Sequence, residues 1–342
     1  MKFRSLSLIA VTSLVTLVAP LAHAGKDLDA VKARGVLVCG VAPALAGFSV
    51  PGSDGKWQGF DVDLCRSIAT AILGDPDKTR FVPLSDQVRF AALKAGEVDV
   101  LTRASTWTLQ RDAALGIDWT GVNFYDGLAL LVSKKLGVKS AKELNGATIC
   151  LPQGGTGEAS FRSYYAALDK KFTPVAFENQ AELVSAFFAG RCDALGYDSS
   201  ALAGFRATRA SQPDDYVILP EIIAKSPLGP VVREGDSRFA DIVRWTLYAQ
   251  VTAEELGITS KNIDDPAVRN SANPNVKLLL GVTPGAGKAL ELDEKWAYNI
   301  VKRVGSYGEL FEKHLGAGSV LGLKRGLNAL WSNGGLQYSP PF

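Results

Sequence analysis

Two stretches of the chain share one pattern, and this internal repeat constrains the fold more than any other feature. Residues 95–101 read AGEVDVL, and residues 189–195 read AGRCDAL. Each pattern predicts a helix that ends at glycine, then a short buried strand, then polar residues beyond the strand. In open α/β sheets, ligands bind beyond the carboxyl ends of the strands. The repeat therefore predicts two similar lobes, each with polar side chains at a strand end.

The order of the predicted elements indicates an α/β fold. Strand and helix patterns alternate from about residue 36 to 102 and again from 140 to 197, which is typical of mostly parallel sheets. The chain beyond about residue 231 is mostly helical in pattern. The helices predicted furthest along it cover residues 296–304, 307–314 and 323–331.

Neither half of the chain has enough predicted strands and helices to form a complete lobe without segments from elsewhere in the sequence. We therefore expect the backbone to cross between the lobes twice, near residues 125–126 and 228–230. The first lobe would then contain residues 25–127 together with 231–342, and the second lobe residues 128–230. Two crossings make a hinge, and hinges of this kind serve closure around a ligand.

Residues 1–24 have the pattern of a secretory signal peptide. Lys2 and Arg4 precede an apolar run over residues 6–18, and residues 22–24 read AHA, a small-residue cleavage site. The alternative, a membrane anchor, is disfavoured because the apolar run is too short to span a bilayer. We expect an exported protein, and the resemblance described below implies that it is periplasmic.

The composition of the mature chain excludes several classes of function. The formal net charge is +2, and the loss of Lys2 and Arg4 with the signal peptide brings it to zero. A neutral chain without a basic stripe disfavours nucleic acid and anionic membranes as partners. His314 is the one histidine left when His23 is removed, which disfavours Ser-His and Cys-His catalysis and His-rich metal sites. Composition does not exclude catalysis by a pair of carboxylates, but no motif marks one. We expect a monomer with no catalytic residue, no metal and no cofactor, in line with the resemblance described below.

The four cysteines of the chain are Cys39, Cys65, Cys150 and Cys192. An even number in an exported protein suggests disulfides, and the spacing is not that of a zinc site. The local pairing is Cys39 with Cys65 and Cys150 with Cys192, one bridge in each half. The alternative is four buried thiols.

The residues beyond the repeated strands suggest recognition of a zwitterion. Arg111 lies beyond the first strand, where its planar guanidinium could bind a carboxylate with two hydrogen bonds and Thr106 could add a hydroxyl. Asp198 follows the second strand and could hold an ammonium group. Thr156 lies in a glycine-rich turn that opens a helix, where free amides favour anions. The alternatives are a solvated arginine for Arg111, helix caps for Thr106 and Asp198, and an ordinary turn around Thr156.

Five motifs together resemble one family. Residues 59–64 (GFDVDL), the Gly-x-x-Asp to Thr-x-x-Arg segment over residues 96–111, and residues 153–158 (QGGTGE) resemble the family 3 solute-binding proteins. These are the periplasmic substrate-binding proteins of polar-amino-acid ABC transporters. Residues 296–300 and 326–336 resemble the longer, general L-amino-acid-binding branch.

The resemblance implies a two-lobed, type II periplasmic-binding-protein fold with additional C-terminal helices. It implies a protein, not an enzyme, that captures L-α-amino acids by cleft closure and delivers them to an inner-membrane ABC permease. The alternative is an exported dehydratase-type enzyme on the same fold. Such an enzyme acts on a substrate without an ammonium group, so Asp198 favours the binding protein.

The resemblance also implies roles for single residues. Arg111 would hold the ligand α-carboxylate, supported by Thr106 and the backbone of Ala104, and Thr156 would contact the same group from the second lobe. Asp198 would hold the α-ammonium.

The side-chain end of the ligand would meet apolar walls. Leu45 and Phe48 fall where the family places pocket-wall residues, and Trp107 is a further candidate. Ala42 supplies no charge at a position where relatives selective for basic amino acids often carry an acid. We therefore expect broad specificity, because apolar walls discriminate weakly.

Overall fold

Two separate β-sheets organise residues 26–342, the part of the chain that this computed structural model describes; the expected signal peptide lies outside the described residues. The strands are β1 Leu37–Val41, β2 Val50–Pro51, β3 Trp57–Gln58, β4 Thr79–Pro83, β5 Val100–Leu101, β6 Ile117–Trp119, β7 Phe124–Ser133, β8 Thr148–Pro152, β9 Thr173–Phe177, β10 Ala194–Asp198, β11 Tyr216–Ile218, β12 Ala224–Leu228 and β13 Val231–Arg233. The helices are α1 Lys26–Arg34, α2 Phe60–Leu73, α3 Arg89–Ala95, α4 Leu109–Ala114, α5 Gly157–Ala167, α6 Gln180–Phe188, α7 Ser199–Arg209, α8 Ser237–Glu255, α9 Pro266–Arg269, α10 Pro274–Leu279, α11 Ala286–Leu290, α12 Trp296–Arg303 and α13 Tyr307–His314.

The first sheet has the strand order β4-β1-β5-β13-β6. Strand β1 is buried along its whole length and pairs in parallel with β4 and β5, with Cys39 opposite Phe81 and Val100. Strand β13 is antiparallel to both of its neighbours. Helices α2, α8 and α12 pack against one another and bury the apolar faces that the sequence pattern predicts.

The second sheet has the order β11-β7-β10-β8-β9, with β12 also paired to β7. Strand β8 is parallel to β9 and β10, whereas the long strand β7 is antiparallel to β10, β11 and β12. Strands β7 and β12 place Asp126 opposite Ser226. Strand β12 also contacts the first lobe, because the Trp107 N–H donates to the Pro227 carbonyl at 2.8 Å.

The chain passes from the first sheet to the second between β6 and β7, and returns between β12 and β13. The two connections touch at Gly229, where a Cβ atom would lie 2.0 Å from the Gly121 carbonyl oxygen. Only glycine permits that approach. The boundary expected between residues 127 and 128 falls inside β7, because that strand begins at Phe124.

One disulfide lies in each half, with the pairing that the sequence favours. Cys39 on β1 is joined to Cys65 on α2, and Cys150 on β8 is joined to Cys192 before β10. Each bridge therefore ties a strand to an element beside it in the same lobe. Neither bridge crosses the cleft, so neither restrains the hinge.

The C-terminal segment packs against the first lobe and reaches the start of β7. The helices predicted near residues 296–304 and 307–314 are present as α12 and α13, but the one predicted over residues 323–331 is wrong. Two short 3₁₀ turns stand there instead, and Gly326 has a positive φ of 49° that interrupts an α-helix. Asn328 accepts from the Tyr125 N–H at 2.7 Å and donates to its carbonyl at 3.0 Å.

In residues 26–342, no helix has the length and apolar character needed to span a bilayer.

Candidate ligand-binding cleft

The carboxyl ends of strands from both sheets face each other across a small pocket of about 30 Å³. That volume is close to one water molecule's share of the liquid, so the two lobes meet closely here. The side chains and backbone that line it come from segments that follow strands in both lobes: Leu45, Asp86, Arg89, Arg103, Ala104, Thr106, Arg111, Leu128, Pro152, Gly155, Thr156, Gly157, Gly196, Tyr197 and Asp198.

Arg111 lies on α4 and reaches across the cleft. Thr108 is the N-cap of this helix, and its Oγ1 accepts from the Arg111 backbone N–H at 3.2 Å. The Arg111 guanidinium donates to the Thr106 carbonyl at 3.0 Å and to the Gly154 carbonyl of the second lobe at 3.1 Å. It also lies over the Phe90 ring, 5.2 Å from its centre. Arg111 is therefore not a solvated surface arginine but a cation held between the lobes.

Thr106 lies at the base of the pocket and does not cap a helix. The cap of α4 is Thr108, two residues further on. The Thr106 hydroxyl lies 2.9 Å from that of Ser226 on β12, and either oxygen can donate. The hydroxyl of Thr106 is thus positioned by the strand that leads back to the first lobe.

Asp198 ends β10 and occupies the N-cap position of α7, yet its side chain makes no cap hydrogen bond. Asp126 takes that role, accepting from the Ser200 N–H at 3.3 Å and from its hydroxyl. The buried Oδ1 of Asp198 has no hydrogen-bond partner among residues 26–342. Burial and the nearby Asp126 raise the pKa of Asp198 to about 8, against the opposing effects of the Ser226 hydroxyl and Arg111. The helix-cap alternative is therefore wrong for Asp198.

Ala104 lines the pocket, but its backbone N–H binds Asp61 and not the ligand carboxylate that the resemblance implies. The Ala104 N–H donates to Asp61 Oδ2 at 2.8 Å, so it is not free to bind a carboxylate. A φ of 41° places this residue in the left-handed region, where side chains are rarely accommodated. Asp61 also accepts from Asn123 at 3.2 Å, and burial raises its pKa to about 7.

Thr156 and the glycines beside it face the pocket from the second lobe. Thr156 is the N-cap residue of α5, but its hydroxyl makes no cap hydrogen bond. Gly155 and Gly157 line the same pocket. A helix N-terminus presents unpaired N–H groups and a positive dipole end, which suit an anion.

Of the expected pocket walls, Leu45 lines the pocket, whereas Phe48 and Trp107 do not. Phe48 is fully buried and packs edge-to-face on Phe60 and Phe124, so it belongs to the core of the first lobe. Trp107 is 36% exposed and stacks on Trp119 outside the pocket. The resemblance that suggested Phe48 as a wall residue gives its position in the chain but not the space that its side chain faces, and the Trp107 side chain packs on Trp119 instead.

A charged cluster absent from the sequence expectations lies beside the pocket. Arg103 donates to both carboxylate oxygens of Asp86, at 3.0 and 3.1 Å, and the Tyr197 hydroxyl of the second lobe donates to Asp86 Oδ2 at 3.0 Å. Burial alone would raise the pKa of Asp86, but Arg103 and Arg89 hold it below its usual range. Asp86 follows β4, so the strand-end rule applied to that strand would have found it.

A larger cavity of about 770 Å³ adjoins the pocket and shares Asp86 and Arg103 with it. Its other lining residues come from both lobes: Pro43, Ala44, Ser85, Glu178, Asn179, Gln180, Ala181, Val184, Ser185, Phe188, Phe205 and Arg209. Charged residues from distant segments of the chain, among them Glu178 and Arg209, therefore meet at this cavity. Within the described chain, no group of three or more His, Cys, Asp or Glu side chains could hold a metal ion.

Comparison with known proteins identifies relatives over the full length. The glutamate/glutamine/aspartate/asparagine-binding protein of Rhodobacter capsulatus is 50% identical over 330 residues, which are 96% of this chain and 97% of that protein. The general L-amino acid-binding periplasmic protein of Rhizobium johnstonii is 47% identical over 334 residues, 97% of each chain.

A solved structure gives the same fold. It is an ABC transporter periplasmic binding protein from Brucella ovis with glutathione bound, with a TM-score of 0.89 and 49% sequence identity. The similarity covers 92% of this chain and 98% of that one. The predicted two-lobed, type II periplasmic-binding-protein fold with additional C-terminal helices is thereby confirmed.

The family profile that matches this chain is that of the bacterial extracellular solute-binding proteins, family 3, over residues 37–265. This is a class of binding proteins, which favours binding over the dehydratase alternative. The chain belongs to the bacterial extracellular solute-binding proteins, family 3.

Proposed function

We propose that this protein captures free L-α-amino acids between its two lobes in the periplasm and delivers them to an ABC-transporter permease. The observation that carries the proposal is the pairing of Arg111 and Asp198, which bring opposite charges from opposite lobes to one pocket. An α-amino acid carries a carboxylate and an ammonium group on one carbon, so it matches both. The amino-acid-binding relatives from Rhodobacter and Rhizobium support the same class of ligand.

In this mechanism the ligand carboxylate takes the place of the Gly154 carbonyl as an acceptor of Arg111. The guanidinium forms two parallel hydrogen bonds with it. Thr106 and Thr156 add hydroxyl donors from the two lobes. The ligand ammonium donates to the buried Oδ1 of Asp198, which satisfies that acceptor.

Closure follows from the same contacts. A ligand that touches both lobes binds the closed form better than the open form and so shifts the equilibrium towards closure. Because the pocket holds only about 30 Å³, the lobes must part to admit an amino acid. The connections at residues 120–123 and 229–230 would serve as the hinge, so that residues 124–127, the first part of β7, would move with the second lobe and not with the first.

The protein would be exported by the signal peptide of residues 1–24 and would act as a monomer. The glutathione bound to the Brucella ovis protein is compatible with the same site. Its γ-glutamyl residue keeps a free α-carboxylate and α-ammonium on one carbon, which is what Arg111 and Asp198 would recognise.

The test is calorimetric titration of the mature protein with polar, acidic, basic and aliphatic L-amino acids. We expect most of them to bind with dissociation constants within about four orders of magnitude, because the α-groups supply most of the affinity. D-enantiomers and α-hydroxy analogues serve as controls and should bind more weakly. Failure of every L-amino acid to bind would refute the proposal, as would turnover of prephenate, the kind of substrate that the dehydratase alternative would act on.

A further inference from the structure

Asp61, the first acid of the GFDVDL motif, is buried behind the pocket and does not line it. It lies in the first turn of α2, where its N–H donates to the Phe48 carbonyl at 3.0 Å and so fixes the start of the helix. Its side chain is not part of an ion pair, because Arg103, the cation whose charge acts on it, is paired with Asp86. Burial of such a carboxylate is costly, and an apolar side chain would fill the same space without that cost. The acid therefore indicates a role beyond packing.

One carboxylate oxygen of Asp61 holds the backbone of residues 104–106, called here the pocket segment. Oδ2 accepts from the Ala104 N–H at 2.8 Å. The φ of Ala104 is 41°, a left-handed conformation that the Cβ atom of an L-residue disfavours. The hydrogen bond with Asp61 offsets that cost and keeps the pocket segment turned at this residue.

The pocket segment in turn orients Arg111. The Thr106 carbonyl accepts from the Arg111 guanidinium at 3.0 Å. The Ser105 carbonyl accepts from the Gly229 N–H at 3.2 Å, so the return connection holds the segment on the side away from the buried carboxylate. A change of backbone conformation at Ala104 would therefore move the Thr106 carbonyl, and with it the guanidinium that reaches across the cleft.

The other carboxylate oxygen of Asp61 binds the hinge. Oδ1 accepts from Asn123 Nδ2 at 3.2 Å, and Asn123 belongs to the connection at residues 120–123. The backbone carbonyl of Asn123 accepts from the Tyr307 hydroxyl at 2.9 Å and from Gln337 Nε2 at 3.4 Å. One buried carboxylate thus joins the pocket segment to a connection that the C-terminal part of the chain already holds.

We propose that Asp61 is a positioning residue for recognition of the ligand carboxylate. It places Arg111 through the pocket segment, and through Asn123 it ties that placement to the hinge. The proposal rests on the proposed function, because it assumes that Arg111 binds the α-carboxylate. Asp198 lies in the second lobe and is not held by this network, so recognition of the α-ammonium does not depend on Asp61.

The test measures, by calorimetry, the affinities for L-glutamine, for its α-amide and for its α-hydroxy analogue. Asp61→Asn replaces one acceptor oxygen with an N–H donor, which must face the N–H of Ala104 or of Asn123. The preference for L-glutamine over its α-amide should fall about tenfold, since a misplaced guanidinium loses its two parallel hydrogen bonds to the carboxylate. The preference for L-glutamine over the α-hydroxy analogue should stay as in the wild type.

Asp63→Asn is the matched control for stability. Asp63 belongs to the same motif and helix and is equally buried, but its carboxylate binds Arg66, Lys313 and His314, none of which lines the pocket. Thermal unfolding measures the stability of both variants, and only Asp61→Asn should lower the preference for the carboxylate. An equal loss of that preference in both variants would reveal a general effect of stability and overturn the proposal.

A double variant tests the route through the backbone. Glycine adopts a positive φ about as readily as a negative one, so adding Ala104→Gly to Asp61→Asn should restore about threefold of the lost preference. A double variant with no more preference than Asp61→Asn alone would overturn the proposed route.

Asn123→Ala gives a second measurement if Asp61→Asn does not fold. It removes the hinge-side donor, leaves Asp61 and Ala104 in place, and should lower the same preference about threefold. An unchanged preference in Asn123→Ala would then overturn the proposal.

The wild type separates failure of this proposal from failure of the proposed function. No binding of L-glutamine, or equal affinity for its α-amide, would contradict the carboxylate site itself and this proposal with it. If Arg111→Ala loses the preference for the carboxylate while Asp61→Asn keeps it, the proposed function stands and only the positioning role of Asp61 is refuted.

Discussion

The two copies of the repeated motif make the same backbone contacts within their sheets, but they are followed by side chains of opposite charge in the binding site. In the first copy, Asp99 exchanges two hydrogen bonds with the backbone of Val38, both 2.8 Å long. In the second copy, Asp193 exchanges two with the backbone of Thr148, at 3.0 and 2.7 Å. The aspartate of each copy therefore fastens its strand to the neighbouring strand and takes no part in the pocket.

Beyond the strands the two copies diverge. The first continues to α4 and presents Arg111, a cation, whereas the second ends at Asp198, an acid. The same scaffold thus delivers opposite charges to facing sides of one cleft. The motif therefore determines where each strand ends, and the residues that follow it determine which charge that strand end presents to the cleft.

Arg111→Ala gives the largest expected effect. It removes the partner of the ligand carboxylate while the cleft still closes around it, so binding of every L-amino acid should weaken by about 2–5 kcal/mol. Arg111→Lys should also weaken binding, because an ammonium cannot form the two parallel hydrogen bonds. Calorimetry measures both variants, and wild-type affinity in Arg111→Ala would show that the first copy does not carry the carboxylate site.

Asp198→Asn tests the second copy. The neutral amide still accepts a hydrogen bond but loses the charge, so amino-acid binding should weaken by about 1.5–3 kcal/mol. The specific readout is the preference for an L-amino acid over its α-hydroxy analogue, which should decrease in the variant. A preference equal to that of the wild type would remove Asp198 from the ammonium site.

The pH dependence of binding distinguishes the contribution of Asp198 from that of Arg111. Burial and Asp126 raise the pKa of Asp198 to about 8, so the neutral acid is favoured below that pH. A raised carboxyl pKa stabilises the closed lobes at low pH, and this stabilisation is lost as pH rises through 8. The ligand ammonium requires the carboxylate, so binding between pH 6 and 8 should release a proton.

Affinity should therefore rise with pH over that window, by up to about tenfold per unit. Titrations in buffers of different ionisation enthalpy measure the released proton directly. Asp198→Asn should flatten the profile, whereas Arg111→Lys should keep its slope. A flat wild-type profile would contradict the raised pKa.

The sequence predicts the fold well because its signals are local. Alternating strand and helix patterns, glycine stops and the spacing of cysteines each act within a short stretch, and they lead to two sheets and two disulfides. The helix predicted over residues 323–331 is interrupted at Gly326, which has a positive φ, and Asn328 there binds the backbone of Tyr125, a contact 203 residues apart that no local pattern predicts.

The site is predicted only where it follows from strand ends and family motifs. Arg111, Asp198 and Thr156 all line the pocket. The Asp86 cluster was missed because its partners are distant in sequence: Arg103 is 17 residues away and Tyr197 is 111. No local pattern records which strand ends will meet across a cleft.

Tyr197→Phe gives the smallest expected effect. It tests whether a hydrogen bond between the two lobes stabilises the closed form without contacting the ligand. The Tyr197 hydroxyl donates to Asp86 across the cleft, so its loss removes one hydrogen bond of the closed form, worth about 0.5–1.5 kcal/mol. Asp86 remains satisfied by Arg103, so no buried charge is left unpaired. Affinity should fall by the same small factor for every ligand, through faster dissociation.

Tyr164→Phe is the matched control for that variant. Its hydroxyl lies in the same lobe and has no hydrogen-bond partner among the described residues, so its removal should leave affinity unchanged. A stopped-flow measurement of dissociation distinguishes the two variants. If Tyr197→Phe changes affinity for some amino acids and not others, Tyr197 contacts the ligand itself, and the second copy of the motif contributes to specificity as well as to charge.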